Sequence, residues 1–305
     1  MRQVGLPDAI RSEMKRALRL EYWTLAWIGS IVIVMYLAMG TSQAMKSAWL
    51  EDLLSLVPAI VFIIAAHFER RAPDDKFRYG YSRVNSLAFL IAAVALVSVG
   101  GFLLFESAKS LLMQEHPSIG LISLLGHEIW LGWVMIAALT YSVIPPVILG
   151  RIKLPVARTL QDKVLHTDAL MQKADWMTGL AGVAGILGVG LGYWWADAAA
   201  SAFISFAILR DGVYNLRIST AELIDGMPRE LDSEDIAADA RKLEAALNAK
   251  YPDAEIRMRE SGRFILVQIT GVANSENIMA GIEPLERPWR LEIASVEIPS
   301  SVSER

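Results

Sequence analysis

The chain of 305 residues has no cysteine and only four histidines, and these absences restrict the sites that it can build. Without cysteine, neither a disulfide nor a thiolate metal site is possible. The histidines are His67, His116, His127 and His166. A metal site must therefore rely largely on oxygen from Asp, Glu, Asn, Gln or the backbone, or on Met sulfur. The formal net charge of −4 gives no reason to expect nucleic acid as a partner.

The composition is too apolar for an average soluble domain and too charged for membrane spans alone. Hydrophobic residues make up 54% and charged residues 20%, and the mean hydropathy is +0.38. A chain with one part in lipid and another in water explains both values.

Six segments reach the length of about 20 mostly apolar residues that a transmembrane helix needs. They are Tyr22–Gly40, Ala48–His67, Ser86–Leu112, Ile129–Leu149, His166–Trp194 and Ala196–Asn215. Lys and Arg concentrate before the first segment, between the second and third, and between the fourth and fifth. Positive residues mark cytoplasmic loops. The sequence therefore predicts a multi-pass protein of the cell (inner) membrane with both termini in the cytoplasm. Residues 1–20 are expected to form a retained amphipathic cytoplasmic segment, not a signal peptide.

After Arg217 the pattern changes to that of a water-soluble unit. Residues 232–250 show helical spacing, and 254–260 and 263–270 read as a strand pair joined by Ser-Gly. A second helix over 274–285 and a third strand over 289–298 follow. The sequence thus predicts six transmembrane helices in residues 21–217 and a small cytoplasmic α+β domain in residues 218–305.

The predicted fifth span begins with an unusually polar stretch. Asp168, Met171, Gln172 and Asp175 are separated by three, four and seven residues, which places them on one stripe of a helix. Ionised residues within a span usually face a pathway or a partner. The predicted second span carries a shorter polar face with Glu51, Asp52 and Ser55.

Together these two faces could form one site, because carboxylate and amide oxygens suit hard or borderline divalent cations. A carboxylate site in a low dielectric could also exchange a proton for a metal. The simpler alternative places Glu51, Asp52 and Asp168 at the membrane interfaces. Asp175 fits that alternative less well, because it lies nine residues beyond His166, or about 14 Å along a helix.

Two further stretches make the chain resemble the cation diffusion facilitators. The link RRAPDDKFRYGYSRVNSL (70–87) is similar to that family's connection between its second and third spans, and YWWADAAASAFISFAIL (193–209) is similar to its sixth-span opening. The resemblance implies a homodimeric transporter that exports divalent transition metals in exchange for protons. It also implies that the domain of residues 218–305 is ferredoxin-like and that the chain dimerises through residues 226–305.

The metal-binding motif of that family is incomplete in this chain. The family places His or Asp, three residues, then Asp on the second and fifth spans. On the fifth span, Met171 occupies the His/Asp position and Asp175 matches the Asp. On the second span the register is open between Glu51 with Ser55 and Asp52 with Leu56. Zinc, iron(II), manganese(II), cobalt and nickel all remain candidate substrates, because no histidine falls in the motif.

Two hypotheses for the function follow. In the first, a proton-coupled exporter binds metal at Asp175 with Glu51 or Asp52, while Met171, Gln172 and Ser55 shape the site and Asp168 lines the cytoplasmic access. In the second, the weakened motif belongs to a transport-inactive dimeric scaffold or metal sensor. An enzyme has little support, because the sequence has no Ser/His/Asp set, no cysteine, no HExxH motif and no Gly-rich phosphate loop. We expect no prosthetic group, and the expected partners are metal cations, protons, the bilayer and a second copy of the chain.

Overall fold

The computed structural model describes residues 7–69, 71, 73–116, 119–124, 127–231, 233–272, 278, 279, 282 and 286–296. A bundle of long helices comes first, and a three-stranded sheet with one helix follows. The bundle helices are α1 (Asp8–Ala38), α2 (Gln43–Leu54), α3 (Leu56–Phe68), α4 (Val84–Leu112), α5 (Leu131–Leu160), α6 (Lys163–Gly190) and α7 (Ala196–Leu223).

The surface of the bundle is strongly apolar. Large side chains such as Trp23, Ile33, Leu37 and Phe105 are more than half exposed. A soluble monomer rarely exposes so much apolar surface, whereas lipid would cover it. Within the described residues, α1, α2 with α3, α4 and α5 are each long and apolar enough to cross a membrane. The helices therefore support a multi-pass membrane protein, while the count of six spans stays a prediction.

The predicted first span is part of a longer helix. α1 begins at Asp8, directly after Pro7, and continues unbroken to Ala38. The expected amphipathic segment is therefore, from Asp8 onward, the first turns of the same helix. With 31 residues this helix measures about 46 Å, which exceeds the hydrocarbon core of a bilayer.

The predicted second span consists of two helices. α2 ends at Leu54 and α3 starts at Leu56, with Ser55 between them. Pro58 explains the break, because proline has no N–H to donate to the carbonyl of residue 54 and its ring collides with that carbonyl. The break lies within one turn of Glu51 and Asp52.

Glycines bring several helices into close contact. A Cβ atom on Gly100 of α4 would lie 2.7 Å from the backbone nitrogen of Leu209, and one on Gly212 of α7 would lie 2.7 Å from that of Val97. Gly150 of α5 makes a similar approach to α6, where its Cβ would lie 2.6 Å from the carbonyl oxygen of Ala169. Such small residues are typical of helix packing in membranes.

Three boundaries differ from the prediction. A hairpin of β1 (Leu121–Leu124) and β2 (His127–Trp130) precedes α5, whereas the sequence predicted that a span begins at Ile129. α5 then continues past Leu149 to Leu160. α7 extends to Leu223 and thus crosses the boundary predicted at residue 217.

The C-terminal unit contains α8 (Ala238–Lys250), β3 (Glu255–Ser261), β4 (Phe264–Thr270) and β5 (Leu291–Val296). β3 and β4 form an antiparallel pair, and β5 lies parallel to β4. Leu243 and Leu247 of α8 pack on Met258 and Val267 of the sheet. The predicted second helix, 274–285, lies almost entirely outside the described residues. The full ferredoxin-like order therefore stays a prediction.

Candidate metal site

α2, which carries Glu51 and Asp52, packs against α6, which carries Asp175. The negative charges of both α2 residues interact with that of Asp175. Two residues of the predicted second-span face and one of the predicted fifth-span stripe are thus brought together. Close carboxylates repel each other when ionised, so this arrangement favours the binding of a cation or of protons.

Asp52 has an oxygen without a partner. Its Oδ2 atom is buried, and no described residue donates a hydrogen bond to it. A buried carboxylate oxygen without a donor is costly, and a bound cation would offset that cost. Glu51 differs, because neither of its side-chain oxygens is both buried and without a partner among the described residues.

The helix break leaves a backbone oxygen close in sequence to these carboxylates. The Ser55 hydroxyl donates to the carbonyl of Glu51 at 3.0 Å. The carbonyl of Leu54 lacks its usual helical donor, because residue 58 is proline. Ser55 therefore stabilises the end of α2, and Leu54 offers a further oxygen two residues from Asp52.

Asp168 and Gln172 belong to a different cluster. The ammonium of Lys153 lies 2.5 Å from Asp168 Oδ2 and 3.0 Å from Glu21 Oε2. The amide of Gln172 donates to both oxygens of Asp168, at 3.0 and 3.1 Å. The stripe predicted from sequence is therefore divided: Asp175 faces α2, whereas Asp168 and Gln172 face α5 and α1.

Met171 has an apolar environment. It packs against the cluster that includes Leu54 and Leu96. Its side chain also lines a cavity of about 680 Å³ between α6 and α7. The thioether thus lies between the core and this cavity, at the position where the family motif has His or Asp.

This cavity extends from the link between α7 and α8 into the bundle. Glu230 and Leu231 line it at the link, and Ala174 and Asp211 line it within the bundle. Asp211 interacts electrostatically with Glu51. Asp168 does not line this cavity, because its side chain contacts Lys153 instead. The structure therefore does not place Asp168 on the access path that the sequence predicted for it.

The site in this conformation is not a complete ligand shell. Among the residues that the structure describes, no three His, Asp or Glu side chains are grouped closely enough to hold a metal ion. The structure instead presents two facing helices with carboxylates, one unpartnered oxygen and a nearby cavity.

Most of the bundle matches a known protein family. The family described as the cation efflux transmembrane domain matches residues 23–224, well over half of the chain. The chain belongs to this cation efflux family, the cation diffusion facilitators. The match begins within α1 and ends directly after α7, so it covers both carboxylate-bearing helices.

Several curated proteins are similar to the chain. A cadmium, cobalt and zinc/H(+)-K(+) antiporter of Bacillus velezensis is 26% identical over 196 residues, which are 61% of this chain and 55% of that protein. The manganese efflux system protein MneS of Bacillus subtilis is 23% identical over 207 residues, 67% of this chain and 64% of MneS. The zinc transporter ZitB of Yersinia pseudotuberculosis is 25% identical over 180 residues, 59% of this chain and 53% of ZitB. The chain thus spans less than two thirds of the length of these relatives.

Proposed function

We propose that this protein exports divalent transition-metal cations in exchange for protons, and that the metal binds between α2 and α6. The observation that carries the proposal is the unpartnered, buried Oδ2 of Asp52 beside the charge of Asp175. A cation bound there would satisfy this oxygen and reduce the repulsion between the two carboxylates.

Asp52 and Asp175 are the proposed primary ligands. Glu51 is the weaker candidate, because it has no buried oxygen without a partner among the described residues, whereas Asp52 has one. The Leu54 carbonyl and Met171 would complete the shell after a small movement of α2 at the Ser55 break. Oxygen donors with one thioether suit several first-row metals, and the names of the relatives include zinc, manganese, cobalt and cadmium.

The proposed exchange follows from the charge of the site. Two facing carboxylates can be neutralised either by one divalent cation or by protons, so the two ligands compete. Metal would arrive from the cytoplasm through the cavity lined by Met171 and Asp211. Release of metal to the outer side and uptake of protons there would complete the cycle. This scheme includes six membrane spans, cytoplasmic termini and a homodimer formed through residues 226–305.

A transport-inactive scaffold or sensor is the second candidate. The packing of Met171 in an apolar cluster favours it, as does the lack of a complete ligand group among the described residues. A sensor would bind metal without moving it, so a transport assay separates the two candidates.

The test uses purified protein in proteoliposomes that contain a metal-sensitive dye, with a pH gradient across the membrane. Zinc, manganese, cobalt, iron(II), nickel and cadmium are added in turn to wild type, Asp175→Ala and Asp52→Asn. Glu106→Gln, a carboxylate that pairs with Lys46 away from the site, is the matched control. We expect uptake of at least one metal by wild type and Glu106→Gln, and loss of uptake in both site variants. A folded wild-type protein that transports none of these metals would overturn the exporter and support the scaffold.

A further inference from the structure

The turn between β3 and β4 inserts into the helical bundle. It consists of Gly262 and Arg263, directly after Ser261 at the end of β3, and the side chain of Arg263 is only 1% exposed. A hairpin tip of a small soluble domain is normally solvated, so a buried arginine at such a tip requires partners outside its own domain.

Arg263 joins the ends of three bundle helices. Its Nη2 atom lies 2.8 Å from Asp162 Oδ2 and 3.0 Å from Glu69 Oε2, and Nη1 lies 3.7 Å from the sulfur of Met14. Glu69 directly follows α3, Asp162 directly precedes α6 and Met14 belongs to α1. One guanidinium therefore connects the α3 end, the α6 start and α1.

Asp162 links Arg263 to the first turn of α6. Its other oxygen, Oδ1, accepts a hydrogen bond from the backbone N–H of Leu165 at 2.9 Å, which makes Asp162 the N-cap of α6. Asn85 of α4 donates to Oδ2 at 2.8 Å. The carboxylate is thus shared between the first turn of α6 and the hairpin.

A second set of contacts lies beside the first. The N–H of Gly262 donates to Glu222 of α7 at 3.0 Å, and Lys163 of α6 lies 2.5 Å from Glu260 of β3. Gly262 has a φ of +60°, and a Cβ there would lie 2.6 Å from the carbonyl oxygen of Ser82. Only glycine allows the turn to approach the bundle so closely.

We infer that the β3–β4 turn sets the position of α6, and that Arg263 is the positioning residue, acting through Asp162. The inference rests on the proposed function, because its consequence for transport is the placement of Asp175. That residue lies 13 residues beyond Asp162 on the same helix, or about 20 Å along its axis. A helix held at its first turn transmits a displacement along its length.

The contacts belong to the conformation in which the α6–α7 cavity reaches the soluble domain at Glu230 and Leu231. Under the proposed function, this conformation is the one that receives metal from the cytoplasm, and we call it the cytoplasm-open state. Loss of the arginine should reduce the population of this state. The apparent affinity for cytoplasmic metal falls in proportion to that population. The expected kinetic signature is a raised KM with a maximal rate that changes little.

The test compares Arg263→Gln and Arg263→Lys with Arg259→Gln, a control on β3 whose partner is the exposed Asp225. Spin labels at Lys173→Cys on α6 and Gln268→Cys on β4 report the distance between the two elements, because the chain has no native cysteine. We expect Arg263→Gln to broaden or shift this distance and to raise the KM about tenfold, which corresponds to a tenfold smaller open population. Arg263→Lys should restore most of both values, and Arg259→Gln should match wild type.

The readouts separate this inference from the proposed function. If the wild type transports no metal, the label distance alone tests the inference. An Arg263→Gln distance and KM equal to those of wild type would overturn it. A lower maximal rate with an unchanged KM and distance would also overturn it, because that pattern indicates only fewer folded molecules.

Discussion

Lys153 forms buried ion pairs whose contribution to stability can be measured. Its side chain is fully buried and is shared between Glu21 and Asp168, whose side chains are 1% and 3% exposed. One positive charge therefore compensates two carboxylates in a region without solvent. Glu21 Oε1 has no hydrogen-bond donor among the described residues, so Glu21 depends on Lys153 for its stabilisation.

The substitution Lys153→Met keeps most of the side-chain volume and removes the charge. Breaking a buried ion pair by removing one partner typically costs about 3–5 kcal/mol, because the remaining charge stays buried and uncompensated. We therefore expect a loss of unfolding free energy within that range. The triple variant Lys153→Met/Glu21→Gln/Asp168→Asn has no uncompensated charge and should recover most of the loss.

Reversible unfolding by SDS in mixed micelles measures both free-energy differences. We predict a large loss for Lys153→Met and a substantial recovery in the triple variant. A loss below about 1 kcal/mol would show that the cluster is solvated and not buried. A triple variant as unstable as Lys153→Met would show that packing, and not charge, determines the cost.

Three further predictions concern packing, the helix break and pH. Gly150→Ala should cost about 1–3 kcal/mol, since its Cβ would meet fixed backbone of α6, whereas Gly101→Ala, with nothing within 4 Å, should cost nothing measurable in the same SDS assay. Pro58→Ala restores the donor to the Leu54 carbonyl and should join α2 and α3 into one straight helix. We expect this variant to take up metal more slowly in proteoliposomes without a lower melting temperature. Unchanged uptake would exclude a role for the break. Burial raises the pKa of Glu69 from 4.5 to about 7 although Arg263 opposes the shift, so the folded state retains a proton that the unfolded state loses. The stability that this group contributes should therefore fall as pH rises from about 4.5 to about 7. Glu69→Gln should remove that part of the pH dependence of the melting temperature. Parallel curves of melting temperature against pH for wild type and variant would contradict the raised pKa.

The helices of the bundle and the hairpin of the soluble unit could be predicted from sequence because their signals are local. Long apolar runs identify spans, and the alternation around Ser261 and Gly262 identifies the strand pair. The break at Ser55 also had a local signal in Pro58, which the apolar run around it obscured. The β1–β2 hairpin had a weaker signal, because its strands are only four residues each.

The partners of polar residues could not be predicted in the same way. Helical spacing correctly placed Asp168 and Asp175 within two turns of each other, but not the helices that each would face. Lys153, 15 residues before Asp168, looked like part of a cytoplasmic link and instead lies inside α5. Arg263 reaches Asp162 across about 100 residues of chain. Such contacts depend on helix packing and not on local periodicity.

Direct metal binding tests the central claim that Asp52 and Asp175 hold the transported cation. The measurement is equilibrium dialysis or calorimetry of zinc and manganese with purified wild type, Asp52→Asn, Asp175→Asn and the control Glu106→Gln. We predict saturable binding of at least one of these metals by wild type and Glu106→Gln, and its loss in each of the two aspartate variants. Undiminished binding by either folded variant would contradict the assignment and place the metal elsewhere in the bundle.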